Sequence, residues 1–132
     1  MTASRSHMVL AVLFVIAGVM HFVAFRHYLA IMPPYVPYGR QLVYLTGGLE
    51  ILGGLALPFA SIRRATGIGL IVLLIAVFPA NVQMLLNARE REAPMAEEIL
   101  LWLRLPLQAL LILWVWNSTR PRGRVSRAKS WR

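Results

Sequence analysis

Four apolar stretches divide this chain, at about Met8 to Phe25, Gln41 to Ala60, Ala65 to Ala88 and Ile99 to Trp116. Each is close to the roughly 20 residues that cross about 30 Å of hydrocarbon. A segment in hydrocarbon must satisfy its backbone groups internally, and the alternation of a membrane strand is absent, so the form is helical. The sequence therefore predicts an all-α fold, a transmembrane four-helix bundle over residues 8–116. Residues 1–7 form a short N-terminal flank and residues 117–132 a basic tail. Hydrophobic residues make up 58% of the 132, above the roughly 45–50% of a soluble domain. The first stretch competes with a signal peptide, but its long apolar run, His21 and the lack of a clean small-x-small site argue for a retained helix. Ser6-His7-Met8 resembles a cloning scar.

The net charge of +9 raises a nucleic-acid partner, and its distribution argues against one. Six of the fourteen basic residues (Arg120, Arg122, Arg124, Arg127, Lys129 and Arg132) follow the last apolar stretch. A flank drawn to anionic lipid accounts for them, with Trp131 as an interfacial anchor. Four spans place both termini on one side. Nine basic residues lie on that side (Arg5, Arg63, Arg64 and the six of the tail) and four on the other (Arg26, Arg40, Arg89 and Arg91). The positive-inside rule then puts both termini in the cytoplasm of a multi-pass protein of the cell (inner) membrane. The loops 26–40 and 89–98 face outward. The second of these is balanced in charge and expected to be only solvated.

Charge within the spans is the second constraint. Glu50 lies between Gly47-Gly48 and Gly53-Gly54, and Arg104 lies in the fourth stretch. An isolated charge at a membrane helix centre costs roughly 2.5–3.5 kcal/mol on insertion scales. Eight leucines between Leu100 and Leu113 offset that cost for Arg104, at about −0.3 to −0.6 kcal/mol each. Counted inward at 1.5 Å per residue, His21, Glu50, Asn81, Arg104 and Gln108 all fall about 6–14 Å below the outer boundary. Every span contributes at least one, and the cytoplasmic half contributes none. This alignment predicts a polar pocket in the outer half, closed on the cytoplasmic side by apolar packing, with Arg104 the expected partner of Glu50. Gly47, Glu50 and Gly54 share one helix face, Gly18 and His21 another, and Arg104 and Gln108 a third. The glycines leave room for a neighbouring backbone. Pro79 and Pro106 free the carbonyls of Ile75 and Trp102 close to the same level.

The outer segment 26–40 carries Pro33, Pro34, Tyr35, Pro37 and Tyr38. It reads either as an interfacial connector, with Tyr28, Tyr35 and Tyr38 at the headgroups, or as a lid over the pocket.

Several pieces in order resemble the DoxX-like family of small four-helix membrane proteins. They are His21-Phe22, Met32-Pro33-Pro34-Tyr35-Val36-Pro37, Thr46-Gly47-Gly48-Leu49-Glu50-Ile51-Leu52-Gly53-Gly54, Phe78-Pro79-Ala80-Asn81 and Arg104-Leu105-Pro106-Leu107-Gln108. The resemblance spans residues 8–116. It implies the fold and the membrane location, and a link to quinone-dependent or thiol-stress redox systems.

Three functions compete. One is a ligand-binding or accessory subunit of a quinone-linked redox system, not a stand-alone enzyme, with a redox partner protein or a second copy beside it. A quinone is its cofactor, stacked on Tyr35, Tyr38 or Trp102, with His21 and Arg104 at its carbonyls and Glu50 exchanging a proton. Another is a small-solute carrier, which the apolar cytoplasmic half disfavours. The third is a structural or assembly protein, with Glu50–Arg104 locking helices. The chain has no cysteine, so disulfides, thiolate metal sites and thiol redox chemistry are excluded for this chain alone. No metal site is expected, since His21 and His27 have no Asp or Cys near them.

Overall fold

A computed structural model describes residues 3–121. It contains five helices: α1 (Ala3–Val23), α2 (Phe25–Ala30), α3 (Gly39–Ala56), α4 (Arg63–Glu90) and α5 (Met95–Thr119). No strand occurs among the described residues. The tail from residue 122 onward, with Arg122, Arg124, Arg127, Lys129, Trp131 and Arg132, lies outside them, as does its expected contact with anionic lipid.

Three helices, not four, are long and apolar enough to cross a membrane: Arg5–Val23, Arg63–Glu90 and Met95–Thr119. Of the four expected spans, three reach that length and apolarity. The exception is α3, which has 18 residues where the sequence predicts a span over 41–60. Arg40, Gln41, Glu50 and five glycines dilute its apolar content. Pro58 stops it early, because a proline disfavours helix at the residue before it and withholds a backbone donor. Arg63 then caps the end, its Nε donating to the Leu57 carbonyl (2.8 Å) and its Nη2 to the Pro58 carbonyl (2.6 Å).

Two close pairs form the body. α1 packs along α3 and α4 along α5, and lighter contacts of α3 with α4 and of α1 with α5 complete a ring. Glycines set the α1–α3 approach. A Cβ on Gly18 would lie 2.6 Å from the Gly47 carbonyl oxygen, and one on Gly54 would lie 2.8 Å from that of Ala11. Between two helices in lipid the gain comes from van der Waals contact, and that contact requires bare backbone at these positions.

The sequence carries no signal for α2. The chain breaks at Ala24 (φ −105°, ψ 33°) and folds toward α3 by aromatic packing. Tyr44 stacks on Phe22 (5.5 Å between centroids) and Phe25 (4.6 Å), and the Arg40 guanidinium lies 5.9 Å from the Phe25 ring. Asn87 of α4 donates to the Ala30 carbonyl at 3.3 Å, which ties α2 to the second pair.

The apolar core joins Leu10, Ala11 and Phe14 of α1 with Leu57, with Leu70 and Leu74 of α4 and with Val115 of α5. It lies toward the end of the ring where α1 begins and α5 ends. A polar layer closes that end. The Ser6 and Ser118 hydroxyls are 2.8 Å apart, Trp114 donates its indole N–H to Ser6 at 2.7 Å, and the ring Nε2 of buried His7 donates to the Ser118 carbonyl. The segment that resembles a cloning scar is thus built into the fold.

Candidate functional site

Beyond the core, toward α2, the two pairs separate around a cavity of about 630 Å³. All five polar residues singled out from the sequence line it: His21 of α1, Glu50 of α3, Asn81 of α4, and Arg104 and Gln108 of α5. The spacing that aligned them in depth reflects antiparallel helices of nearly equal rise. Phe14, Leu74 and Leu111 form the floor against the core, and Tyr28 of α2 with Ile31, Met32, Pro33, Tyr35 and Val36 forms the roof. Of the candidate lid residues, Pro33 and Tyr35 line the cavity. Pro34, Pro37 and Tyr38 do not line it. Tyr38 instead holds the N-cap of α3 in the left-handed region, with φ 59°.

The expected partner of Glu50 changes. Three contacts of ion-pair type occur among the described residues: His21–Glu50 at 3.6 Å, Arg89–Glu98 at 3.4 Å, and Arg91–Glu97. Arg104 is in none of them. It belongs to the α4–α5 pair and stands exposed at the rim, with Nη1 3.9 Å from the Met84 sulfur. Glu50 belongs to the α1–α3 pair and is only 6% exposed. The cavity lies between them.

His21 does not complete the pairing. It is 8% exposed, and its Nδ1 lies 3.0 Å from the Ala17 carbonyl oxygen. A carbonyl can only accept, so the ring N–H is directed along its own helix. Oε2 of Glu50 is left buried without a hydrogen-bond partner among the described residues. The other ring face of this site is aromatic: the Tyr28 centroid is 4.0 Å from that of His21. Burial, reinforced by the Glu50 carboxylate and opposed by Arg104, pushes the Tyr28 phenol above its usual range, so it remains a neutral hydroxyl.

The opposite wall is braced. Asn81 donates to the Gln108 side-chain oxygen at 2.6 Å, and Gln108 donates to the Leu74 carbonyl. That carbonyl is adjacent to Ile75, whose oxygen loses its helical donor to Pro79. The side-chain amide of α5 thus joins α5 to the backbone of α4 one residue from the carbonyl that Pro79 frees. Toward the α1–α5 seam the cavity meets the surface, where its lining residues Leu13 and Leu107 are exposed.

No group of three or more His, Cys, Asp or Glu side chains able to hold a metal occurs among the described residues. The Tyr28–His21 ring contact has no signal in the sequence, because the turn at Ala24 that creates it has no breaker residue. Neither a curated protein nor a solved structure matches the chain. A family model described as a domain of unknown function (DUF8561) matches residues 10–119, from within α1 to the end of α5 and across the whole cavity, and the chain belongs to that family.

Proposed function

We propose that this chain is a four-span protein of the cell membrane, both termini cytoplasmic, that binds a quinone-class ligand in its cavity as a ligand-binding or accessory subunit of a membrane redox system. The observation that carries the reading is the cavity: largely apolar walls, with six polar side chains (His21, Thr46, Glu50, Asn81, Arg104 and Gln108) drawn from all four long helices. Such a lining suits an amphipathic molecule with a compact polar head. The unpartnered Glu50 oxygen, the His21–Tyr28 stack and Arg104 are the groups that would hold the oxygens and flat ring of that head. A bound quinone supplies the two-electron, two-proton chemistry that a chain without cysteine lacks. The DoxX-like resemblance adds the quinone link.

The packing of α3 supports a fourth span. Gly47 meets Gly18, and Gly54 meets Ala11, so α3 runs antiparallel along α1 and returns the chain to the end from which α1 started. Its polar face is covered by α1, which lets a helix of modest hydropathy cross.

Quinone extracted from protein purified in native lipid, and diminished in Arg104→Gln, is the expected result. Its absence from every lipid-rich preparation would remove the ligand assignment. Topology is read separately, since the cysteine-free chain permits single-cysteine labelling. Glu92→Cys should react with an impermeant maleimide in intact cells and Ser61→Cys should not; the reverse pattern would invert the orientation.

A further inference from the structure

The polar atoms of the cavity are sorted by wall. On the α1–α3 side the hydrogens are committed to backbone carbonyls of the same helix. The His21 N–H goes to Ala17, which leaves Nε2 of the neutral ring as an acceptor. The Thr46 hydroxyl donates to the Leu42 carbonyl at 2.8 Å, with that of Val43 at 3.1 Å, and keeps its lone pairs. The Glu50 carboxyl lines the cavity and, when ionised, can only accept. This wall therefore offers three acceptors. The α4–α5 side is richer in donors, with the Asn81 side-chain oxygen as a further acceptor. Arg104 carries five N–H groups, with the Met84 sulfur as its side-chain contact, and Asn81 and Gln108 each have a second amide hydrogen beyond the one they use.

We infer that the cavity selects a head group with a hydroxyl donor toward Glu50 and an oxygen acceptor toward Arg104, and so prefers the hydroquinone state of its ligand over the quinone state. The inference rests on the quinone-class reading above. A quinone has carbonyl oxygens alone, so it satisfies Arg104 but sets oxygen against oxygen at Glu50. A hydroquinone gives a hydrogen to Glu50 and still accepts at the opposite oxygen. The Tyr28 hydroxyl, on the roof, can take either role. An alkyl tail has an apolar way out at the seam between Leu13 and Leu107.

The test is a set of equilibrium titrations of the full chain in lipid nanodiscs, without oxygen. The probes are a short-alkyl hydroquinone, its quinone and its dimethyl ether. A hydrogen bond to a charged acceptor predicts binding at least about tenfold tighter for the hydroquinone than for either of the others. Glu50→Gln, whose amide can donate to a carbonyl, should bring hydroquinone and quinone within about threefold of each other. Arg104→Gln should weaken both and leave their ratio unchanged. Equal binding of the three probes to the wild type, or an unchanged ratio in Glu50→Gln, overturns the inference. A redox-silent pair, a 4-alkylphenol and its methyl ether, separates the two readings. A phenol preference without hydroquinone binding keeps the donor rule and removes the quinone assignment. Failure of both pairs removes both, and a primary alkylamine that outcompetes the phenol overturns the hydroxyl head.

Discussion

Nδ1 of His21 lies 3.6 Å from Oε2 of Glu50, yet its hydrogen goes to the Ala17 carbonyl. Two side chains on tightly packed helices thus come together without satisfying each other. The carboxyl that results is buried, lines the cavity and leaves one oxygen without a hydrogen bond.

Stability and binding should therefore separate at this position. Glu50→Met keeps the volume and removes the unpartnered oxygen, so it should stabilise the protein by about 1–3 kcal/mol. The same change should abolish ligand binding. Thermal unfolding in detergent, followed by helical circular dichroism, reads the first effect and titration the second. A lower melting temperature would show that the carboxyl is bonded in the folded state.

The two glycines before Glu50 should behave differently. A Cβ on Gly47 would lie 2.6 Å from the His21 Cβ, whereas Gly48 faces open space. Gly47→Ala should destabilise by about 1–3 kcal/mol through overpacking. Gly48→Ala should be neutral or stabilise by up to about 1 kcal/mol, since alanine is the better helix former. Comparable losses in the two variants would contradict the α1–α3 contact.

Gln108 bridges a side chain and a backbone carbonyl. Gln108→Leu removes the acceptor of the Asn81 amide and the bond to the Leu74 carbonyl and should cost about 1–3 kcal/mol. Asn81→Leu alone should cost less, and the double variant should show a coupling of about 0.5–3 kcal/mol in a mutant cycle. Additive effects would mean that the Asn81–Gln108 bond contributes nothing.

The terminal polar layer makes its own prediction. His7→Ala removes the bond to the Ser118 carbonyl between α1 and α5 and should lower stability by about 1–3 kcal/mol. Ser61→Ala, at an exposed position between α3 and α4, serves as the control, and a matching change in both would show that His7 is not part of the fold.

The helical class and the membership of the polar cluster were legible in the sequence, and for one reason. Apolar runs of constrained length fix how far along each helix a residue sits, and depth was enough to gather His21, Glu50, Asn81, Arg104 and Gln108. Which of them touch was not legible. Pairing depends on which helices pack closely, and the closeness of α1 to α3 comes from bare backbone at Gly18, Gly47 and Gly54. Opposite charge therefore pointed to Arg104, while geometry brought His21. The limited hydropathy of α3 was hidden because a leucine-rich stretch can contain enough glycine and polar residues to fall short. The role of Arg63 was missed for a different reason: the positive-inside rule explains an arginine at that position without any contact.

The hydrogen bonds joining Ser6 and His7 to Ser118 fasten α1 to α5 at one end of their shared seam, and the exposed cavity residues Leu13 and Leu107 lie farther along it. Two rods clasped at one end can part at the other by a small rotation about the clasp. Any such rotation displaces the cavity end of the seam more than the clasped end, in proportion to its distance from the fulcrum.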